Sequence, residues 1–165
     1  MKLLFAAVLL LPLFALAQDC TLKKETNSFT HETRLTTGFM PFNSTLLSID
    51  ANSTDIDFFF SINQAGDAKC FDDASTAVIV FEGTRSKTTF RNSGSMNCEG
   101  LFHFTFKNST ATPYALKRLA TQKVSTITFN GSNKGITVIT LSDEQKQSLM
   151  NWAGCIAKEA PTLKK

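Results

Sequence analysis

Between residues 56 and 62 the chain alternates: Ile56, Phe58, Phe60 and Ile62 share one parity, and Asp57 and Ser61 share the other. Successive side chains of a β-strand point to opposite faces, so this segment predicts a strand with one buried face and one wet face. Residues 101–106 repeat the pattern, with Phe102, Phe104 and Phe106 on one side and Leu101, His103 and Thr105 on the other. Two such strands commit the chain to a sheet with a phenylalanine face. Phe59 breaks the parity, so either both faces of that sheet are covered or Phe59 stands in an exposed patch.

Other strand-like runs alternate with Asn, Gly, Ser and Asp clusters, the punctuation of antiparallel sheets. Residues 30–37 read as a weakly patterned first strand. Residues 46–50 and 56–62 form a hairpin across the loop at 51–55. Residues 77–82 hold the β-branched run Val78-Ile79-Val80, and Gly83-Thr84-Arg85-Ser86 turns the chain into residues 87–91. A last hairpin pairs residues 124–129 with 136–141 across a loop containing Asn130-Gly131.

Two helices are legible. Thr112-Pro113 supplies a capping residue and a proline at the first helical position, followed by Leu116, Leu119 and Ala120 as an apolar face. Ser142 and Gln145 form a capping-box pattern, with Asp143 and Glu144 suited to the positive end of the helix dipole. Leu149, Trp152, Ala153 and Ile156 then recur at i, i+3, i+4 and i+7 as one stripe. Strands with helices gathered late in the chain predict an α+β class: a predominantly antiparallel β-sheet with a short helix and a C-terminal helix packed on it. A closed sandwich with the last helix as a flap is the alternative.

The N-terminus predicts export. Lys2 precedes an apolar run from Leu3 to Leu16, and Ala15-Leu16-Ala17 gives the small-x-small pattern cut by signal peptidase. The run falls short of the about 20 apolar residues of a transmembrane helix. Residues 1–17 are therefore read as a signal peptide and residues 18–165 as a single domain, with no membrane span in the mature chain. The 17 Lys and Arg against 14 Asp and Glu, with Lys2 leaving in the signal, form no basic stripe of the kind that binds nucleic acid.

Cys20, Cys70, Cys98 and Cys155 all follow the signal. An even count in an exported chain predicts disulfides. Four cysteines allow three complete pairings, among which spacing does not choose. The expected pairing is Cys98–Cys155, tying the start of a strand to the last helix, with Cys20–Cys70 as the other. The spacings contain no CxxC, so no metal site and no cofactor is expected.

Cys20 just after the cut, followed by Thr26, Phe29 and Thr30, resembles the opening of small exported proteins of Bacteroidota-type bacteria. Residues 124–129 after a Leu-containing helix, and Ala153-Gly154-Cys155-Ile156 in a last helix, are similar to their endings. The resemblance implies a periplasmic or secreted address and supplies no catalytic residues.

Candidate functional residues are few. His103, between two core-facing phenylalanines, is a possible pocket base or ligand contact. His31, beside Glu32, is a second candidate base, although strand neighbours diverge. Arg85, Lys87 and Arg91 form a basic cluster suited to an anionic partner, or to protecting an edge strand. Asp72-Asp73, with Asp67 nearby, offers oxygen ligands without EF-hand spacing. Sequons at Asn43, Asn52, Asn108 and Asn130 would carry glycans in a eukaryotic secreted protein and are coincidental in a bacterial one. No GxSxG, HExxH or phosphate-loop pattern occurs. The sequence therefore predicts a non-enzymatic exported domain that binds a protein partner or a cell-surface component. The alternatives are a small hydrolase using His103 or His31, and an assembly subunit that lends an edge strand to a neighbour.

Overall fold

The computed structural model describes residues 20–62, 69–132 and 135–163. The predicted signal peptide, Asp67 and the final Lys164-Lys165 lie outside them. The alternating segments lie side by side. Strand β5 (Asp55–Ile62) pairs with β4 (Thr45–Ala51) on one edge and β8 (Leu101–Lys107) on the other. Beyond β4 the sheet continues through β2 (Thr33–Thr36) to β1 (Lys23–Thr26), while β3 (Met40–Phe42) folds back onto β4. A second sheet has the order β10-β9-β6-β7, built from β6 (Thr76–Phe81), β7 (Lys87–Arg91), β9 (Val124–Asn130) and β10 (Ile136–Thr140). Every pairing is antiparallel, and the class is α+β.

The two sheets meet through phenylalanine. Phe58, Phe60, Phe102 and Phe104 of the first sheet are buried, as are Phe81 and Phe129 of the second. Phe60 and Phe102 each meet Phe129 with ring centroids 5.1 Å apart, in the edge-to-face arrangement that aromatic quadrupoles favour. Phe90 stacks on Phe104 at 4.1 Å.

The expected strand at 30–37 is shorter than its pattern suggested. Residues 27–32 form a turn in which the Asn27 N–H donates to the Glu32 carbonyl, and Asn27 Oδ1 accepts from the N–H groups of Phe29 and Thr30. Strands β1 and β3 were not expected. Every residue of β1 is exposed, so it has no apolar parity to read, and β3 carries Pro41, which is confined to edges because it lacks an N–H.

Helix α1 (Tyr114–Thr121) buries Leu116 and Leu119. Pro113 is its N-cap rather than its first helical residue, and no side chain caps it, so Thr112 does not play the expected role. Helix α2 (Asp143–Glu159) closes the fold against β4 and β9. Its capping box is formed: Ser142 Oγ accepts from the Gln145 N–H, and Gln145 Oε1 accepts from the Ser142 N–H. Lys146 donates to Asp143 and Glu82 at 2.8 Å, which raises its pKa and ties the helix to the end of β6. Ser142→Ala should cost about 1 kcal/mol, read as a lower urea midpoint at unchanged m-value.

The disulfides are Cys20–Cys155 and Cys70–Cys98, which corrects the expected Cys98–Cys155 and Cys20–Cys70. Phe71 and Asn97 form an isolated antiparallel bridge with reciprocal N–H···O bonds of 2.8 and 2.9 Å. Stepping one residue outward along each antiparallel strand sets Cys70 opposite Cys98. The lead into β1 runs along α2, where Thr21, Leu22, Trp152 and Cys155 share one small cleft, and this brings Cys20 to Cys155. Gly100 completes the corner beside Cys98. Its φ of 75° is open to glycine, and a Cβ there would lie 2.5 Å from the Ile62 carbonyl oxygen. Two disulfides indicate a non-reducing, extracellular-type environment.

Candidate functional site

Strand parity builds a face on the first sheet that is turned away from the second. Asp50 of β4 stands directly opposite Asp57 of β5, and Phe59 directly opposite His103 of β8. Arg34 of β2 joins this face, because Thr36, two residues on, pairs with Asp50. Arg34, Asp50, Asp57, Phe59 and His103 line a shallow cleft of about 230 Å³.

Each group is held by its neighbours. Thr105, opposite Asp57, donates its hydroxyl to Asp57 Oδ1 at 2.6 Å. The Ser48 hydroxyl lies 3.2 Å from both oxygens of Asp50. Arg34 donates twice to Glu25 Oε2, at 2.7 and 2.9 Å, and this bond, with a smaller contribution from Asp50, raises the guanidinium pKa. Neither Asp50 nor Asp57 forms an ion pair among the described residues.

The aromatic part of the face is continuous. The His103 imidazole stacks on Phe59 with centroids 5.2 Å apart and planes 12° apart, and Phe39 meets Phe59 edge-on at 6.2 Å. Phe39 is 59% exposed. Gly94 lies close against the imidazole: a Cβ at Gly94 would sit 3.1 Å from His103 Cε1 and Nδ1. The imidazole nitrogens make no hydrogen bond among the described residues, whereas the His103 backbone is fixed by Asn92 Oδ1 and the Ser93 N–H. Phe59 is half-buried: Phe39 packs on it and Ser48, directly opposite, is 2% exposed, so it stands in a partly covered aromatic patch whose open side is Phe39, between the two placements its parity allowed.

The remaining sequence candidates lie elsewhere. His31 sits in the β1–β2 turn with φ 55°, not on a strand, and lines a separate cleft with Lys24, Thr33 and Leu163. Lys87 and Arg91 share the exposed parity of β7, an edge strand, while Arg85 is in the preceding turn, so the three do not share one strand face. Asp72 is committed to its own loop, where Oδ1 accepts from the Ser75 hydroxyl and from the N–H groups of Ala74 and Ser75. The Ser75 hydroxyl bond leads in lowering the Asp72 pKa. The sequon asparagines are structural: Asn108 is 4% exposed and donates to the carbonyls of Asn52 and Ala160, and Asn43, Asn52 and Asn130 also hydrogen-bond within the fold.

Sequence reading missed Asp50, Asp57 and Arg34 as a group. The signal available was the parity of Asp57 with Phe59 and its pairing across the hairpin with Asp50. No family model, curated protein or solved structure matches the chain.

Proposed function

We propose that this is an exported, non-catalytic binding domain, periplasmic or secreted, and that the outer face of its first sheet receives a cationic group carried on an apolar stem from a protein partner. The observation that carries this reading is the cross-strand pair Asp50–Asp57. Like charges directly opposite on neighbouring strands are destabilising, and here Arg34 is already engaged by Glu25. On the same face Asp55 is paired with Lys107 and Glu25 with Arg34, so Asp50 and Asp57 are the two carboxylates there without an ion pair among the described residues. An incoming ammonium or guanidinium would relieve that repulsion while its stem lies on Phe59, Phe39 and His103. Phenylalanine suits such a stem better than a sugar ring, because sugar-binding faces favour the polar handles of Trp and Tyr.

NMR titration with arginine- and lysine-containing dipeptide amides, against matched glutamate dipeptides, tests this. The basic probes are expected to shift resonances of residues 50, 57, 59 and 103, and the acidic probes are not. The variant Asp50→Asn/Asp57→Asn should weaken that binding about tenfold or more, since charge-assisted bonds are worth about 1.5–3 kcal/mol. Shifts that fall elsewhere, or that persist in the double variant, would remove the basis of the reading. The hydrolytic alternative rests on His103, which shares the face with two carboxylates. It predicts that His103→Ala abolishes turnover of chromogenic ester or glycoside substrates while the fold survives.

A further inference from the structure

Five strand edges are presented by the two sheets among the described residues, and four are protected. Strand β1 is four residues long and carries Lys23, Lys24 and Glu25. Strand β3 carries Pro41. The β8 edge is covered by a loop, where Asn92 Oδ1 accepts from the His103 N–H, the Ser93 N–H donates to the His103 carbonyl, and the Asn97 side chain bonds both the N–H and the carbonyl of Leu101. Strand β7 exposes Lys87 and Arg91. Short, charged, proline-bearing or covered edges are the usual means of stopping strands from pairing between molecules.

Strand β10 has no charge and no proline, and among the described residues a side chain covers it only at its Thr140 end. It reads Ile-Thr-Val-Ile-Thr. Its backbone phase follows from two bonds that flank it: the Leu141 N–H donates to the Ser125 carbonyl, and the Gly131 N–H donates to the Gly135 carbonyl. With the β9 register, these turn the backbone groups of Thr137 and Ile139 toward β9 and those of Ile136, Val138 and Thr140 toward the free edge. The Thr140 carbonyl is met by the Asn43 side chain at 3.2 Å, and the carbonyls and N–H groups of Ile136 and Val138 have no partner among the described residues. The side chains beside this edge are apolar and open, Ile136 63% and Val138 57% exposed.

We infer that β10 pairs with β10 of a second copy of this chain, antiparallel about a twofold axis at Val138. In that register Val138 meets its own equivalent and Ile136 meets Thr140 of the other copy. The outward-facing backbone groups are then the ones that exchange hydrogen bonds, with the second lone pair of the Thr140 carbonyl available beside Asn43. What favours a second copy is that this register is self-complementary, with outward backbone groups meeting their own equivalents and no charge to repel. The same twofold pairing of β7 about Thr89 would set Lys87 against Arg91 of the other copy, a like-charge contact. The product is one continuous sheet of eight strands, within the usual size of open sheets, ending at both edges in the basic β7. The interface is small, so the association depends on concentration.

Sedimentation equilibrium of the purified, disulfide-intact protein tests this, run from about 1 μM to about 1 mM. A closed dimer is expected. Val138→Lys places like charges at the twofold axis on an already exposed side chain, and should weaken dimerisation about tenfold or more with Tm unchanged. Thr89→Lys adds the same charge to the opposite edge of the same face and should leave the dimer intact. In the dimer, exchange of the Ile136 and Val138 amide protons should slow, while Thr137 and Ile139 are protected at every concentration. A wild type that stays monomeric throughout, or a dimer indifferent to Val138→Lys, would overturn the inference. Because the β10 edge belongs to the other sheet, neither result depends on the acidic face binding a cation.

Discussion

Replacing Cys20 and Cys155 together with serine should lower the unfolding free energy by about 5 kcal/mol. The bridge joins residues 135 apart in sequence, so it excludes most of the open conformations of the unfolded chain. Cys70–Cys98 closes a separation of only 28, and removing it should cost about 3.5 kcal/mol by the same argument. Domains of this size have about 5–15 kcal/mol in total, so the first loss takes a large share. There is a local consequence as well. Strand β1 is exposed along its whole length and held to the sheet by β2 alone, so Cys20 is its main anchor to the core. Urea unfolding of the oxidised protein and the two double-serine variants checks the order of the two losses, and amide exchange checks β1. If the Cys70/Cys98 variant loses as much as the Cys20/Cys155 variant, chain entropy is not what makes the long bridge valuable. If β1 amides stay protected without Cys20, the anchoring argument fails.

The disulfide pairing was invisible in the sequence because it depends on two contacts with no local signature. One is a single bridge between Phe71 and Asn97 in a region without strand pattern. The other is the run of residues 20–22 along α2. What local physics dictates was legible. The parity of residues 56–62 and 101–106 gave β5 and β8 with their inner faces correct, and Ser142 and Gln145 gave the start of α2. Trp152 is only partly buried: it lies on the Cys155 flank of the α2 stripe, where both line the cleft beside Thr21 and Leu22. The acidic face lay between these extremes. His103 was singled out for its own chemistry, but its setting comes from register: Asp50 is seven residues from Asp57, and Arg34 is a further strand away. Charge pairs made across strands are read only once the register is known. The same holds for the β10 edge, where Ile136 to Thr140 looks in sequence like any buried hairpin arm.

Phe104→Ala should destabilise the protein by about 4 kcal/mol, the expected range for emptying a buried phenylalanine site. Phe104 is 2% exposed and stands where the two sheets meet. It stacks on Phe90 of the second sheet at 4.1 Å and on Phe58 of its own at 5.2 Å, and meets Phe106 edge-on at 5.7 Å. Truncation removes the apolar area and leaves a cavity ringed by other phenylalanines, whose stiff rings fill it poorly. It also breaks several aromatic pairs, each worth about 0.5–1.5 kcal/mol beyond area burial. The informative control is Phe59→Ala. Phe59 neighbours Phe58 and Phe60 in sequence, yet it lies on the outer face against His103 and Phe39. Its loss leaves no enclosed cavity and should cost no more than about 1.5 kcal/mol. Urea midpoints at matched m-values separate the two. Equal losses would mean that the outer face of the first sheet is covered rather than open. That would remove the physical ground for a ligand there, because an aromatic patch already packed against protein has no surface left to offer a partner.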